Sequence, residues 1–268
     1  MYGIVACETL YHEVEALAPD AAVRYVPHEL HESPINVGDD REVSTAVQEA
    51  VADLDARGVS SIRIAYAGTT GLEGVQTDSA PLAVSLADDC VSQYLYQADT
   101  SETGEVKAPS TYYLTRGIID RAPDSYKLYL AFQGRSDELQ ERFEAEAAAH
   151  PDLVIDWQES YLFERAHERG ARMSEATIDS FFEKLLGYYT TVVLLDTGGL
   201  YDIHRWYGRA VRDFLSALAD TAGQERAIEF RVADGDRGLL QTLFAEPDHP
   251  QASPHIATYE PGEPVVDE

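Results

Sequence analysis

Cys7, His31 and Cys90 have the residue types best suited to chemistry in this chain. Two thiols and an imidazole are soft-to-borderline donors. A Cys2His set with its fourth position open is a ligand set of catalytic zinc, where the free position holds water or substrate. The spacing of the three matches no zinc finger or ribbon, so they would have to be gathered by tertiary structure. Cys90 also follows Asp88 and Asp89 directly. A helix N-terminus lowers a thiol's pKa and neighbouring carboxylates raise it. A metal would resolve that conflict by holding the thiolate, with Asp89 beside it or on it, although two acids before a helix also serve as caps. Cys7 and Cys90 packing as small hydrophobes, with His31 a loop residue, is the competing reading. His28 lies close enough to His31 to replace it.

A second group of residues suits anions. Gly68, Thr69, Thr70 and Gly71 open a GTTGLEG loop whose backbone N–H groups and hydroxyls could cradle a phosphate or an anionic substrate. The loop is neither a Walker motif nor a dinucleotide fingerprint. Arg116 ends the β-rich stretch TYYLTR and could clamp a carboxylate or phosphate, while Asp196 ends VVLLD just before Thr197-Gly198-Gly199. Asp234-Gly235-Asp236 lacks the downstream bidentate Glu of a calcium loop and reads as a turn. No G-x-S-x-G elbow is present.

Positioning these residues requires strands that end where they sit. IVACET (4–9), AAVRYV (21–26), SIRIAYAG (61–68) and PLAVSL (81–86) read as apolar strands. Helical patterns lie between them over 10–17 and 43–54, and another starts at Asp88-Asp89. Such β-α-β alternation predicts an α/β fold with a mostly parallel sheet and helices on both faces. It places Cys7, His31, the 68–74 loop and Cys90 at the carboxyl edge, where such sheets bind ligands. Further along, 110–115, 190–199 and 227–232 read as strands; 125–149 and 159–187 read as mainly helical, 202–220 as an amphipathic helix, and 234–244 as a loop opening into a short helix. The expected organisation is two α/β lobes with a cleft between them: residues 1–108 with the metal-ligand candidates, residues 109–245, and an acidic, proline-rich tail over 246–268.

The net charge is −28, with 48 acids against 20 bases. Acids run along the whole chain, and Lys occurs only at Lys107, Lys127 and Lys184. Self-repulsion of this size is relieved by salt, which points to a salt-adapted protein. It weighs against nucleic acid as a partner, since no basic stripe is present to neutralise phosphates. No stretch has the roughly 20 apolar residues of a membrane span, and MYGIVACETL reads as a first strand rather than a signal peptide. Cytoplasmic location is expected. Two cysteines make no disulfide framework.

Six stretches together resemble one family. They are ACETL (6–10), LH followed by Pro (30–34), DDC (88–90), TYYLT followed by Gly (111–117), GYYTTVVLLDTG (187–198) and DGDRGLL (234–240). In this order they resemble the domain-of-unknown-function 1638 family, as an acidic, haloarchaeal-type member. The resemblance implies an α/β protein with conspicuous cysteines that accompanies corrinoid methyl-transfer systems. The corresponding expectation is a zinc-binding protein that assists or performs methyl transfer with a small thiol or methyl donor and a corrinoid protein as partner, as a single chain or an oligomer. A non-enzymatic metal or small-molecule binding protein, or a structural subunit, stays open beside it. The chain departs from the family pattern after the third strand, where members carry Cys-Gly and this sequence reads Tyr66-Ala67-Gly68-Thr69-Thr70-Gly71.

Overall fold

The computed structural model describes residues 1–30, 40–66, 71–95, 108–153, 155, 157, 160–224, 226–245 and 253–266. In chain order the elements are β1 (Gly3–Cys7), α1 (Tyr11–Leu17), β2 (Ala22–Val26), α2 (Asp40–Ala56), β3 (Ile62–Ala65), β4 (Leu82–Ser85), α3 (Ser92–Leu95), β5 (Thr111–Leu114), α4 (Arg116–Arg121), α5 (Ser125–Phe132), α6 (Ser136–Ala147), α7 (Tyr161–Gly170), α8 (Glu175–Leu186), β6 (Thr191–Asp196), α9 (Asp202–Thr221), β7 (Glu229–Asp234), α10 (Gly238–Phe244) and β8 (Ile256–Tyr259). Two compact units divide the chain. The first comprises Met1–Ser33, Val37–Gly104 and Gly235–Glu268, and the second Pro34–Asn36 and Glu105–Asp234.

The first unit is built on a sheet of order β2-β1-β3-β4-β8. The first four strands are parallel and β8 joins β4 antiparallel. Side chains alternate between faces, and two contacts fix which face is which. Gly3 meets Leu54 of α2 so closely that a Cβ would lie 3.0 Å from its Cδ1. On the other face, the Tyr2 hydroxyl donates to the Phe244 carbonyl of α10 at 3.0 Å. Arg63 is buried there too, donating to the carbonyls of Leu243 and Ala245 at the end of α10. Its charge faces the negative end of that helix. Helices therefore cover both faces. Since β1 pairs with β2 on one side and β3 on the other, the chain reverses its direction of travel across the sheet at β1/β3. Sheets of this order bind ligands beyond the carboxyl ends at that switch point.

The parallel strands match the sequence expectation, while the end of the chain adds to it. Residues 235–245 belong to the first unit, and the tail supplies an edge strand to the same sheet. Ile256–Tyr259 is a short run inside a proline-rich, acidic segment, where no periodicity announces a strand.

Asp55, at the end of α2, ties down the turn that leads into β4. Its carboxylate accepts the N–H groups of Asp78, Ser79 and Ala80 and the Ser79 hydroxyl. Partial burial raises its pKa, but these donors outweigh burial and hold it below the usual value. A carboxylate with a depressed folded-state pKa contributes stability above its unfolded pKa of about 3.9 and loses it as pH falls through the folded value. Asp55→Ala should cost about 1–2 kcal/mol near neutrality. In urea titrations the gap between variant and parent should close as pH drops below the ordinary carboxylate range.

The second unit holds an all-parallel sheet of order β5-β6-β7. Central β6 carries Val192, Val193, Leu194 and Leu195, all fully buried. Helix α9 packs on β6 and β7, close enough that a Cβ on Gly208 would strike the Phe230 ring. The two helical stretches expected here are both broken. Gly134, at φ +69°, separates α5 from α6, and Ser174 starts α8 by accepting the Thr177 N–H. Left-handed glycine and an N-capping serine are ordinary helix boundaries.

Candidate functional site

Cys7 is the last residue of β1, and its side chain lies on the α2 face with Gly3 and Val5. The parallel register pairs Val5 with Ile64, so continuing the ladder brings Tyr66 beside Cys7 on that face. Cys90 arrives from the turn after β4. Asp89 starts this turn by accepting the Ser92 N–H at 2.7 Å and the Ser92 hydroxyl at 2.8 Å. The carboxyl ends of three strands thus deliver two sulfurs and a phenol to the switch point.

The sulfurs meet there. Cys7 lies close enough to Cys90 for its thiol to pull the Cys90 pKa below the ordinary thiol value; the Thr9 hydroxyl acts in the same direction. Burial and the Asp89 carboxylate oppose them and lose. Thr9 also donates to Cys7 Sγ at 3.1 Å. Both cysteines are free thiols and both are buried. Adjacent Asp89 raises the Cys90 pKa as its sequence position implies, but the donors on the far side of the sulfur prevail. Easier ionisation of Cys90 favours the thiolate form that binds metals.

The surroundings stay protonated. Burial, then the charges of Cys7, Cys90 and Glu8, push the Tyr66 hydroxyl well up. Burial and the Glu13 carboxylate do the same to Tyr94. Both phenols remain neutral near pH 7. Glu8 accepts the His28 N–H at 2.7 Å, tying the end of β1 to the segment after β2.

Gln93 is the least expected member. It is fully buried, and neither its amide nitrogen nor its amide oxygen has a hydrogen-bond partner among the described residues. It follows Cys90 by three residues, and Tyr94, by four, feels the charges of both sulfurs. Gln93 and Tyr94 belong to α3, which begins two residues after Cys90. An unsatisfied buried amide costs about 1–3 kcal/mol and is tolerated in native structures where something else uses it. Gln93→Met should therefore raise the stability of ligand-free protein by about 1–3 kcal/mol. Denaturant titration checks this; no gain would mean that water already satisfies the amide.

Of the other sequence candidates in this unit, His31, Gly68, Thr69 and Thr70 lie outside the described residues. Gly71 is half-buried against Val43 of α2, where an added Cβ would lie 3.0 Å from the valine Cγ1. Among the described residues, no group of three or more His, Cys, Asp or Glu side chains could enclose a metal ion.

Arg116 and Asp196 belong to the second unit, at the carboxyl edge of its sheet. Arg116 is buried, and its guanidinium donates to Asp120, to the Gly199 carbonyl and to Asp152. Asp120 also meets His204 Nε2 at 2.9 Å, while His204 Nδ1 accepts the Tyr201 N–H. That acceptor role makes Nε2 the protonated nitrogen, donating to Asp120. Asp196 accepts the Gly198 N–H at 2.9 Å and pairs with Arg205 at 3.3 Å. These groups organise the turn over 197–201 and the start of α9. The sequence points to Arg116 and Asp196 by their places at strand ends. Asp120 and His204 are far apart in sequence and match no spacing rule.

The fold and this site define a class: a parallel α/β protein with a buried pair of thiols at the switch point of its first sheet. The family model described as "Protein of unknown function (DUF1638)" matches residues 26–243, and the chain belongs to that family. The matched span contains Cys90, Arg116 and Asp196 and begins after Cys7. No curated protein and no solved structure matches the chain.

Proposed function

We propose that the paired thiols of Cys7 and Cys90 form the protein half of a zinc site, in an α/β protein that takes part in methyl transfer to or from a thiol. One observation carries the reading: two sulfurs from distant strand ends meet in a buried position where α/β sheets of this order bind ligands. Thiolate sulfur suits zinc, and both sulfurs sit where one ion could touch them. The set is incomplete with the described residues alone. His31, on the segment after β2, is the third donor in this scheme, which leaves a position for substrate. When bound, zinc supplies the Lewis acidity that lowers the pKa of a substrate thiol, as methyl transfer to sulfur requires. The protein's own contributions are chain-specific. Thr9 holds the sulfurs in their orientation, the neutral phenols of Tyr66 and Tyr94 line the site without adding negative charge, and Gln93 offers an amide to the bound molecule.

A corrinoid protein as methyl donor is part of the same proposal and rests on the family resemblance. So is a salt-adapted, archaeal cytoplasmic setting, supported by the net charge of −28; no described helix is long and apolar enough to cross a membrane. Metal analysis of protein purified at high salt without chelator tests the reading. About one zinc per chain supports it, and metal-free protein that takes up none on titration overturns it. Transfer of a methyl group from a corrinoid donor to a thiol would then separate an enzyme from a metal-binding protein without turnover.

A further inference from the structure

The second unit carries a cluster of cations in a chain otherwise dominated by acids. Arg165 and Arg169 of α7 and Arg172 in the turn after it line an open cavity of about 330 Å³, with Glu168 the one acid among its lining residues. No carboxylate lies within ion-pair distance of these three guanidinium groups among the described residues. Arg165 lies over the Tyr161 ring at 5.9 Å and Arg169 over the Phe181 ring at 5.4 Å, contacts that hold the side chains and leave their charge unneutralised. Arg135 nearby is different, since both of its outer nitrogens are engaged, one of them by Glu138 at 3.2 Å.

Met173 lines this cavity and also a second one of about 500 Å³, whose apolar walls include Phe132 and Ile178. Gly170 brings α7 against α5 so tightly that any side chain there would overlap the Phe132 carbonyl, so the wall between the helices is set by backbone packing. A volume near 500 Å³ is in the range of small-molecule sites. Methionine is suited to lining such a space because its flexible thioether adapts to the occupant.

We infer that these adjoining cavities form a binding site for a small amphipathic anion, a phosphate monoester or carboxylate with an apolar body. The anionic head is held by Arg165, Arg169 and Arg172, and the body lies against Met173, Phe132 and Ile178. Guanidinium groups match phosphate and carboxylate oxygens through paired N–H bonds. At a net charge of −28 the long-range field repels anions, so a stable complex needs this local cluster; salt shortens the repulsion to about 10 Å at 0.1 M.

Calorimetric titration with octyl phosphate, octyl glucoside and inorganic phosphate tests the site. Octyl phosphate should bind once per chain, at least about tenfold tighter than either of the other two. The double substitution R169Q/R172Q should lower octyl phosphate affinity to that of octyl glucoside without changing thermal unfolding, because both side chains are exposed. M173D should weaken both amphiphiles. Cys90→Ala should leave all three affinities unchanged, which keeps this site distinct from the thiol pair. Equal affinity for the charged and neutral amphiphiles, or octyl phosphate binding that survives R169Q/R172Q, overturns the inference.

Discussion

Cys90→Ala is expected to weaken zinc binding by at least about 100-fold, since even groups that only support a metal ligand are worth 10- to 100-fold. Cys7→Ala should do the same. The two sulfurs depend on each other. Each sulfur supplies one soft donor, and the Cys7 thiol is the largest influence favouring the Cys90 thiolate. Removing Cys7 therefore deletes one ligand and makes the other harder to ionise. Both residues are buried but small, so replacement by Ala should cost only about 1 kcal/mol of packing. Circular dichroism should then show folded protein with the metal lost. Thr9→Val is the milder companion: it keeps both sulfurs and removes the hydroxyl that donates to Cys7. Wild-type zinc affinity in either cysteine variant, measured by competition with a chromophoric chelator, would remove the thiols from the site.

The largest effect on stability is expected at Asp124. Lys127 is fully buried, and its ammonium donates to the carbonyls of Ile118 and Ala122 and to Asp124. The two carbonyls belong to the end of α4, where a cation is favoured. Asp124 is its charge partner at 3.3 Å, caps α5 through the N–H groups of Tyr126 and Lys127, and accepts the Tyr207 hydroxyl at 2.8 Å. Asp124→Ala removes this carboxylate from beside a buried cation, together with the α5 cap and the Tyr207 contact, and should destabilise the second unit by about 3–5 kcal/mol. Adding Lys127→Met should recover part of the loss, because an apolar replacement of a buried pair is far less costly than half of one. Urea unfolding of the single and double variants measures both numbers; a double variant no more stable than Asp124→Ala would contradict the pairing.

Much of the first sheet is legible in the sequence because its strands are short apolar runs that end at distinctive residues. Cys7 ends β1, and Cys90 follows β4 after two acids, so edge position alone brings them under suspicion. What edge position does not supply is contact. The meeting of the two sulfurs depends on strand order, which places β1 and β3 at the centre of the sheet and β4 next to them. Thr9, Tyr66 and Gln93 escape notice because threonine, tyrosine and glutamine near strand ends are common and carry no motif. The alternation of β1 and β3 links Cys7 to Tyr66 only once the register is known. Gln93 becomes visible only through an absence, since its unpaired amide is a property of packing rather than of sequence. Likewise, Arg116 is conspicuous at the end of β5, and Asp120 is one helical turn on in α4, but its other partners Asp152 and Gly199 come from separate segments.

The arginine cluster was hidden for a related reason. Helix α7 reads as a mixed-charge surface helix, with Glu168 three residues after Arg165 and four before Arg172, spacings that a helix could convert into ion pairs. The structure leaves those pairs unmade and opens a cavity at the arginines instead.

X-ray absorption at the zinc edge of the metal-loaded protein reads the ligands of the proposed site themselves. Two sulfur neighbours at about 2.3 Å, with the remaining shell nitrogen or oxygen near 2.0–2.1 Å, is the predicted result. A shell of nitrogen and oxygen alone, with both cysteines still reactive toward a thiol reagent in unfolded protein, would contradict it.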